Sequence, residues 1–479
     1  MKNLFIISLT YQKENAILLR RENGAYWRMK RGIVMEMRAE IEKHLNERII
    51  PFWEKLEDKE NGGFYGYMGY DLVVDRKAVK GCILNSRITW FFSAAAKYYE
   101  KRDPEKASEL LAYARHGYEF MRSACCDAEF GGMLWSVTYD GQPEDTTKHT
   151  YNQAFSIYAL AAYFDATGDM EALRLALEIY SIIETKCRDE GGYLEAFDRA
   201  FRPSCNDKLS ENGVIAELTM NTALHVLEAY TELYRMLVIC EREGKETGGS
   251  VPAREVGEKL VAILRIFADK MYNREKHRQE VFFDHEYNTL IDLISYGHDI
   301  ESSWLIDRTV DVIRATFAGT DLTVDRITAM AAEPAPVLFE FASTDETMSG
   351  VFALLDRVNQ MDAEMLENVT REAFDGHSLA MEAENGVKNE DRIWWAQGEM
   401  VTAFYNGFQH DPARTEYKEN AEAAWEFVRD VLTDRREGSE WFWLLDRDGK
   451  PYEDRPIVEP WKCPYHNGRM CLEMMRRLG

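Results

Sequence analysis

A sixfold alternation between two kinds of helix constrains this chain more than any other feature. Charged, amphipathic helix patterns recur near residues 36–56, 105–124, 170–187 and 415–433, and a Gly-rich segment typical of a short β-hairpin follows each. Helix patterns richer in Ala, Tyr and Trp come after the hairpins and begin near Asn85, Asn152, Asn221, His298, Arg392 and His466. Repeats of this kind indicate one architecture built from similar units.

The polarity of the two helix types predicts where each type lies. A helix that is apolar on nearly every face is buried, whereas a helix with one charged face lies at the surface. Six buried and six half-exposed helices predict an all-α fold, an (α/α)6 barrel in which short β-hairpins connect outer to inner helices. We expect residues 35–479 to form a single catalytic domain, with 243–252 as a loop inside it and 315–380 as its least regular part.

Residues 1–34 differ in character from the repeats. Their apolar stretch at 4–9 is short, and no A-x-A cleavage site follows it, so it resembles a signal peptide only superficially. We therefore expect an N-terminal extension to which we assign no function, with Met35 or Met37 as the natural start.

The charge balance argues against two classes of partner. The 479 residues carry 83 acidic and 58 basic side chains, a net charge of −25, whereas nucleic acids and anionic membranes bind clustered Lys and Arg. No apolar run approaches the roughly 18 residues of a membrane-spanning helix.

The eight cysteines include no C-x-x-C pair, which predicts reduced thiols and a cytoplasmic location. No H-x-x-x-H, H-E-x-x-H or phosphate-binding glycine motif occurs, so we predict neither a metal nor a cofactor.

Polar and aromatic side chains cluster at the starts of the inner helices. Because those starts meet at one rim of a barrel, their first turns should line one axial cavity. An aromatic cavity with few polar groups suits a sugar, whose C–H faces stack on rings and whose hydroxyls need donors and acceptors. The candidate residues are Arg87, Tyr151, Asn221, His225, His298, Glu301, Trp304, Trp395, Glu399, Trp461 and His466.

Two histidines in this set are suited to acid–base chemistry. Imidazole titrates at about pH 6.5, so a pair on opposite faces of a substrate could remove a proton on one side and return it on the other. His298, Glu301 and Trp304 recur every three residues and share a helix face, which predicts that Glu301 bonds His298 directly or through a nearby group. The alternative for His298 or His466 is simple packing.

The motifs around these positions resemble those of the cellobiose 2-epimerases, within the N-acylglucosamine 2-epimerase superfamily. The resemblance extends from about Met37 to Leu478 and so covers nearly the whole chain after the extension. Its most specific stretches are P-F-W at 51–53, E-N-G-G-F-Y-G at 60–66, K-H-T-Y-N at 148–152, L-S-E-N-G at 209–213, M-N-T-A-L-H at 220–225, S-Y-G-H-D-I-E at 295–301, W-W-A-Q-G-E at 394–399 and P-W-K-C-P-Y-H-N-G-R-M at 460–470.

This resemblance implies a fold, a reaction and residue roles. It implies the (α/α)6 barrel and a reversible, cofactor-free inversion at C2 of the reducing-end glucose of β-1,4-linked disaccharides such as cellobiose or lactose. His298 and His466 would form the acid/base pair that works through a cis-enediolate. His225 would assist ring opening or hold the C1 oxygen, and Arg87 would stabilise the enediolate. Tyr151, Asn221, Glu301 and Glu399 would hold hydroxyls or tune histidines, and Trp304, Trp395 and Trp461 would form stacking walls.

One departure from the family pattern and several alternatives remain. Asn85 stands where a His often precedes Ser-Arg in the family, so turnover would be slower or the preferred sugar different if that position assists ring opening.

The same chemistry on another sugar would give an N-acylglucosamine 2-epimerase or an aldose–ketose isomerase acting on mannose. A glycoside hydrolase would use Glu301 and Glu399 as its carboxylates, and a non-catalytic sugar- or protein-binding module would need no histidine pair. We expect a small-molecule disaccharide as partner, no nucleic acid and no membrane; the sequence leaves the oligomeric state open and is compatible with a monomer.

Overall fold

A computed structural model describes residues 35–205, 208, 212–247, 251–330 and 346–479 of the chain. The N-terminal extension at 1–34 and the motif residues 209–211 lie outside these described residues, and so do the expectations attached to them.

Within the described ranges, six inner helices form a closed ring. They run Cys82–Tyr99, Thr150–Thr167, Met220–Glu243, Tyr296–Phe317, Trp394–His410 and His466–Arg477. Each packs against the next, and the last packs against the first. Most of their side chains are buried on all sides, as their apolar character predicts. Each predicted start falls within about one turn of the observed one, and the (α/α)6 barrel is confirmed.

The outer helices surround this ring. They comprise the helical residues 35–54 and the helices Pro104–Phe120, Met170–Ile182, Ala253–Ile266, Glu346–Glu372 and Thr415–Phe427. Asp103 and Asp169 cap two of them by accepting hydrogen bonds from the backbone N–H groups of Lys106 and Glu171. The irregular region 315–380 contains the long outer helix Glu346–Glu372, and a shorter helix, Val324–Met330, precedes it.

The turns after the outer helices repeat one hydrogen-bonding pattern. Asp58 follows the first outer helix and accepts hydrogen bonds from the backbone N–H groups of Glu60 and Asn61. This Asx-turn leads into Gly62 and Gly63, whose φ angles of 81° and 65° favour glycine. The equivalent turns are formed by Asp127, Asp189, Asn273, Asp375 and Asp434.

The predicted hairpins within units are present as short antiparallel pairs, and most of the short strands also join neighbouring units. The antiparallel pairs between units are Lys80–Gly81 with Ser136–Val137, Lys148–His149 with Ala196–Phe197, Leu218–Thr219 with Phe282–Phe283, Leu293–Ser295 with Glu382–Glu384, and Arg392–Ile393 with Leu444–Leu445. Local hairpins are formed by Ser136–Val137 with Pro143–Asp145, Tyr272–Asn273 with Arg278–Gln279, and Glu382–Glu384 with Val387–Asn389. Apolar alternation identifies a strand but not its partner. The strand before each of the first five inner helices pairs with a strand of the next unit.

A contiguous apolar core extends from Met37 to Leu478. The predicted loop 243–252 lies between the inner helix that ends at Glu243 and the outer helix that begins at Ala253. None of the helices that the structure describes is both long and apolar enough to cross a membrane. All eight cysteines are free thiols.

Candidate active site

A cavity opens at the rim where the inner helices begin. Most of the candidate residues line it: Arg87, Tyr151, Asn221, His225, His298, Glu301, Trp395, Trp461 and His466. Phe282, Met381, Ile393, Trp394 and Trp443 add apolar surface, and Lys208, Asn212, Ser295 and Glu382 add polar groups. The cavity therefore combines aromatic walls with a limited set of polar side chains.

His466, the first residue of the last inner helix, is held from behind by a carboxylate. Its Nδ1 lies 2.7 Å from Oε1 of Glu399 and 3.8 Å from Oε1 of Glu301. A carboxylate at Nδ1 favours the tautomer with the proton on Nδ1, which leaves Nε2 as an acceptor. Burial, followed by the charges of Arg469 and Arg87, lowers the pKa of His466 well below its ordinary value. At neutral pH this imidazole is therefore a neutral base.

His298 lies in the first turn of the fourth inner helix and has a different partner from the one predicted. Its Nδ1 lies 2.6 Å from Oγ of Ser295, whereas Glu301 points to the other side of the site. Burial, with a smaller contribution from His225, lowers the pKa of His298 to about 3. Ser295, three residues towards the N-terminus, thus takes Nδ1 of His298, and Glu301 accepts a hydrogen bond from Arg469 instead.

The Trp395 ring lies beside the imidazoles of both His298 and His466. The centroid of its ring system lies 4.8 Å from that of His298 and 5.5 Å from that of His466. Both rings also line the same cavity. The two histidines, 168 residues apart in sequence, thus flank one aromatic surface on which a sugar ring could stack.

Arg469, one turn beyond His466, links the carboxylates beneath the cavity. Its Nη2 donates to Oε1 of Glu399 at 2.7 Å and also to Oε1 of Glu301. Its Nη1 donates to Oε1 of Glu228 at 2.5 Å and to the hydroxyl of Tyr465. The guanidinium is nearly fully buried, so these bonds act in a low-dielectric interior. It fixes the positions of the carboxylates that in turn hold the histidines.

Glu301, Glu399 and His466 are grouped closely enough for a metal to be considered. Their donor atoms lie within 4.8 Å of one another. Arg469, however, already supplies positive charge to both carboxylates, so the donor set fits a guanidinium.

Burial and then the charge of Glu399 raise the pKa of Glu301 to about 7, although Arg469 opposes the shift.

His225, on the third inner helix, belongs to the same network. Its Nδ1 lies 2.9 Å from Oε2 of Glu228. Burial alone would raise the pKa of Glu228, but Arg469, His225 and Tyr465 outweigh burial and lower it to about 2. Glu228 is therefore ionised, and it holds His225 in the way that Glu399 holds His466.

Arg87 provides a positive charge that the protein leaves without an ion pair. Its Nη2 donates to the hydroxyl of Tyr151 at 2.6 Å, and its Nη1 donates to the carbonyl of Trp461 at 3.4 Å. The guanidinium lies 4.0 Å from the ring centroid of Phe155. Among the described residues, no carboxylate lies within ion-pairing distance of Arg87, and its buried Nε has no hydrogen-bond partner. This buried charge is available to an anionic group in the cavity.

Trp304 and Glu399 do not line the cavity, which differs from the predictions made for them. Trp304 is 1% exposed and donates from Nε1 to Oε2 of Glu399 at 2.9 Å. Trp304 lies one turn deeper in the barrel than Glu301, so its ring cannot serve as a stacking wall at the mouth. Glu399 acts on His466 and not on the cavity itself, which agrees with a tuning role.

The side chain of Asn85 forms hydrogen bonds with the protein backbone. Its Oδ1 accepts a hydrogen bond from the backbone N–H of Phe64 at 2.9 Å, and its Nδ2 donates to the carbonyl of Gly81 at 3.2 Å. Gln153 and Gln397 make the equivalent contact on other inner helices. Asn85 is fully buried and lies outside the cavity lining, so the departure from the family pattern does not alter the cavity wall.

Several residues of the site were missed at the level of sequence. They are Glu228, Ser295, Trp443, Tyr465 and Arg469. Three of them lie within one helical turn of a candidate histidine, and this spacing could have identified them: Tyr465 and Arg469 beside His466, and Glu228 beside His225. The cross-helix bonds that give them their roles are not visible in local spacing.

Comparison with known proteins places the chain in a family. Residues 62–316 and 331–467 match the family model for N-acylglucosamine 2-epimerase (GlcNAc 2-epimerase). A cellobiose 2-epimerase from Eubacterium cellulosolvens is 45% identical over 438 residues, covering 91% of this chain and 97% of that protein.

Solved structures agree with the sequence comparison. A sugar epimerase from a ruminal bacterium has a TM-score of 0.78 and 40% identity, and covers 92% of this chain and 99% of its own. Cellobiose 2-epimerase from Bacillus thermoamylovorans has a TM-score of 0.76 and 36% identity, with coverage of 92% and 99%. Fold, cavity and relatives together define an enzyme of the isomerase class, an epimerase. The chain belongs to the N-acylglucosamine 2-epimerase family.

Proposed function

We propose that this enzyme reversibly inverts C2 of the reducing-end glucose of β-1,4-linked disaccharides, converting cellobiose to 4-O-β-glucosyl-mannose and acting also on lactose. Relatives named cellobiose 2-epimerase that align over nearly their whole length support this proposal. The observation that carries it is the joint contact of His298 and His466 with Trp395 in one cavity.

The two imidazoles act on the C2 proton of the ring-opened sugar. The aldehyde at C1 acidifies the C2–H bond, and a neutral imidazole removes that proton to give a cis-enediolate. Rotation about C2–C3 presents the opposite face, where the other imidazole returns a proton. That imidazole is neutral in the free enzyme and takes its proton from solvent once the negative charge of the enediolate lies beside it. Glu399 stabilises the imidazolium form of His466 through its contact with Nδ1.

Charge on the enediolate oxygens is stabilised by Arg87. A buried guanidinium without an ion pair is a preorganised electrostatic partner for charge that develops during the reaction. His225, held by Glu228, assists ring opening or holds the C1 oxygen. Tyr151, Asn221 and Glu301 line the cavity beside these groups and bind sugar hydroxyls.

The extent of the cavity supports a disaccharide over a single sugar. Its lining reaches from His466 and Trp395 to Trp443, Lys208 and Glu382 on the surrounding loops. A second ring at the non-reducing end would have aromatic and polar contacts there. The same acid–base chemistry on N-acylglucosamine or mannose remains the alternative, and a sugar panel separates these substrates.

The geometry gives little support to a glycoside hydrolase that uses Glu301 and Glu399. Such enzymes place two carboxylates on either side of the scissile bond, about 5–5.5 Å apart or about 6.5–9.5 Å apart. Here both carboxylates bond the same Nη2 of Arg469, and Glu399 lies beneath His466. The carboxylates of Glu301 and Glu399 therefore lie side by side against the guanidinium of Arg469, which is not the arrangement of two carboxylates on either side of a scissile bond.

The decisive experiment is incubation with cellobiose in heavy water, read by NMR. We expect deuterium at C2 of the epimerised disaccharide. Release of glucose would instead indicate hydrolysis, and accumulation of a ketose would indicate an aldose–ketose isomerase. A parallel panel with lactose, mannobiose, glucose, mannose and N-acetylglucosamine identifies the preferred substrate, and full epimerisation without deuterium uptake would contradict the mechanism.

We further propose that residues 35–479 act as one catalytic domain in the cytoplasm. The contiguous core from Met37 to Leu478 supports a single domain. The eight free cysteines support a reducing compartment.

A further inference from the structure

Ser295 is the N-cap residue of the fourth inner helix, Tyr296–Phe317, but its side chain does not cap that helix. A serine at an N-cap ordinarily accepts a hydrogen bond from a backbone N–H two or three residues further along the chain. The third inner helix has this ordinary arrangement, because Oγ1 of Thr219 accepts from the backbone N–H of Thr222 at 3.1 Å. The hydroxyl of Ser295 is therefore engaged elsewhere.

That hydroxyl bonds the side chain of His298. Oγ of Ser295 lies 2.6 Å from Nδ1 of the imidazole, and both residues line the cavity. A ring turned over would offer Oγ a carbon atom in place of Nδ1, so this bond favours one orientation of the ring. In the described ranges, Ser295 is the only residue whose side chain is hydrogen-bonded to the imidazole of His298.

Trp395 supports the same orientation from the face of the imidazole. The two ring centroids lie 4.8 Å apart, and the ring planes meet at 46°. Gly297 permits this close approach, since a Cβ atom at that position would collide with the indole of Trp395. With Nδ1 bonded to Ser295, Nε2 is the ring nitrogen of His298 that is left for the cavity.

The partner of His298 differs in charge from the partners of the other two histidines in the cavity. Nδ1 of His466 lies 2.7 Å from a carboxylate oxygen of Glu399, and Nδ1 of His225 lies 2.9 Å from one of Glu228. A carboxylate orients an imidazole and also stabilises its protonated form, whereas a neutral hydroxyl only orients it. Ser295 therefore fixes the ring of His298 without adding a negative charge beside it.

We propose that Ser295 is the positioning residue of His298. Its hydroxyl holds the imidazole with Nε2 towards C2 of the sugar, and it accepts a hydrogen bond from Nδ1–H both before and after Nε2 takes up the C2 proton. Ser295 keeps its own proton throughout and acts on the reaction only through His298. This inference rests on the proposed two-histidine epimerisation.

Ser295→Ala should lower kcat on cellobiose by about 10- to 100-fold, because a base that is no longer held in its reactive orientation loses part of its catalytic effect. KM should change by less than about twofold, since the substrate contacts remain. Ser295→Thr keeps a hydroxyl and should recover kcat to within about fivefold of the wild type.

Thr219→Ala is the matched control, because it removes a hydroxyl that does cap an inner helix. It should lower the melting temperature and leave kcat within about threefold of the wild type. Ser295→Ala removes no cap, so its melting temperature should fall less than that of Thr219→Ala. Together the two variants separate the stability of a helix start from the orientation of a catalytic ring.

Hydrogen exchange in double variants gives the decisive test, with NMR in heavy water as the readout. Exchange at C2 depends on His298 in the His466→Ala background and on His466 in the His298→Ala background. Adding Ser295→Ala should slow exchange at least about tenfold in the first background and change it by less than about twofold in the second. A merely structural role for Ser295 would slow exchange in both backgrounds alike.

Three results would overturn the inference. They are a kcat of Ser295→Ala within about twofold of the wild type, an equal loss of exchange in the two backgrounds, and a folded Ser295→Thr that is no more active than Ser295→Ala. Failure of the proposed function looks different. His298→Ala and His466→Ala, with Ser295 intact, would then show no exchange confined to one epimer, and the positioning role would fall with the mechanism on which it rests.

Discussion

Nδ1 of His466 lies 2.7 Å from Oε1 of Glu399. The same carboxylate oxygen accepts a hydrogen bond from Nη2 of Arg469, and the other oxygen accepts one from Nε1 of Trp304. All four groups are buried, so the imidazole is oriented by a carboxylate that is itself fixed from two sides. This arrangement leaves Nε2 of His466 as the acceptor on the cavity side.

Glu399→Gln should lower kcat strongly while changing KM little. The amide can no longer stabilise an imidazolium at His466 or impose its tautomer, and loss of such support from a catalytic base costs about 100-fold or more in kcat. Steady-state kinetics on cellobiose measures the effect. Trp304→Phe keeps the ring and the Glu399 charge but removes one donor, so its loss should be at most about tenfold. A larger loss in Trp304→Phe than in Glu399→Gln would contradict this hierarchy.

His298→Ala and His466→Ala should each abolish epimerisation, by about 1,000-fold or more, but they should differ in hydrogen exchange. In a two-base mechanism the remaining imidazole can still remove the C2 proton from one epimer and return one to the same face. Each variant should therefore exchange deuterium into a different epimer, which NMR in heavy water detects. Exchange of the same epimer in both variants would rule out the division of roles.

Arg87→Met should reduce kcat by about 100- to 1,000-fold, because an electrostatic partner of the enediolate is lost. Stability should change little, since the wild-type guanidinium is buried with an unsatisfied Nε. Tyr151→Phe, which removes the hydroxyl bonded to Nη2 of Arg87, serves as the milder comparison. Parallel kinetics and melting curves separate catalysis from folding, and a folded Arg87→Met variant with normal kcat would disprove the assigned role.

The acid limb of the pH profile should lack the inflection of an ordinary histidine. Burial lowers the pKa of His298 to about 3 and that of His466 well below its usual value. Both bases thus stay neutral as the pH falls, and kcat/KM should change less than about twofold between pH 7 and about pH 5.5. A tenfold loss per pH unit below about 6.5 would contradict the prediction.

Any inflection near neutrality should belong to Glu301. Burial and Glu399 raise its pKa to about 7, so Glu301 carries a proton below that pH and becomes negative above it. Glu301→Gln should remove the inflection from the pH profile of kcat. An unchanged inflection in a folded variant would assign it to another group.

Asn85→Ala should affect stability rather than chemistry. It leaves the backbone N–H of Phe64 without its acceptor, which costs about 1–3 kcal/mol of unfolding free energy. The value of kcat should stay within about twofold of the wild type. Gln153→Ala, at the equivalent position of the second inner helix, should lose a similar amount of stability. A fall in kcat without loss of stability would return Asn85 to the catalytic machinery.

The local sequence predicted much of the architecture because the relevant physics is local. Apolar residues on every helix face identified the inner helices, and the observed starts at Cys82, Thr150, Met220 and Tyr296 lie close to the predicted ones. Strand pairing was not predictable, since a two-residue strand such as Lys148–His149 carries no information about its partner.

The sequence by itself determined which residue types stand at the first turns of the inner helices, and hence that histidines, aromatic rings and a buried Arg87 meet at one rim. Tertiary structure alone decided their partners. Ser295 takes Nδ1 of His298, Arg469 joins carboxylates from three other helices, and Trp304 lies below the cavity. Helical periodicity fixes the face on which a side chain lies, whereas the group opposite that face depends on how separate helices pack, which no local pattern encodes.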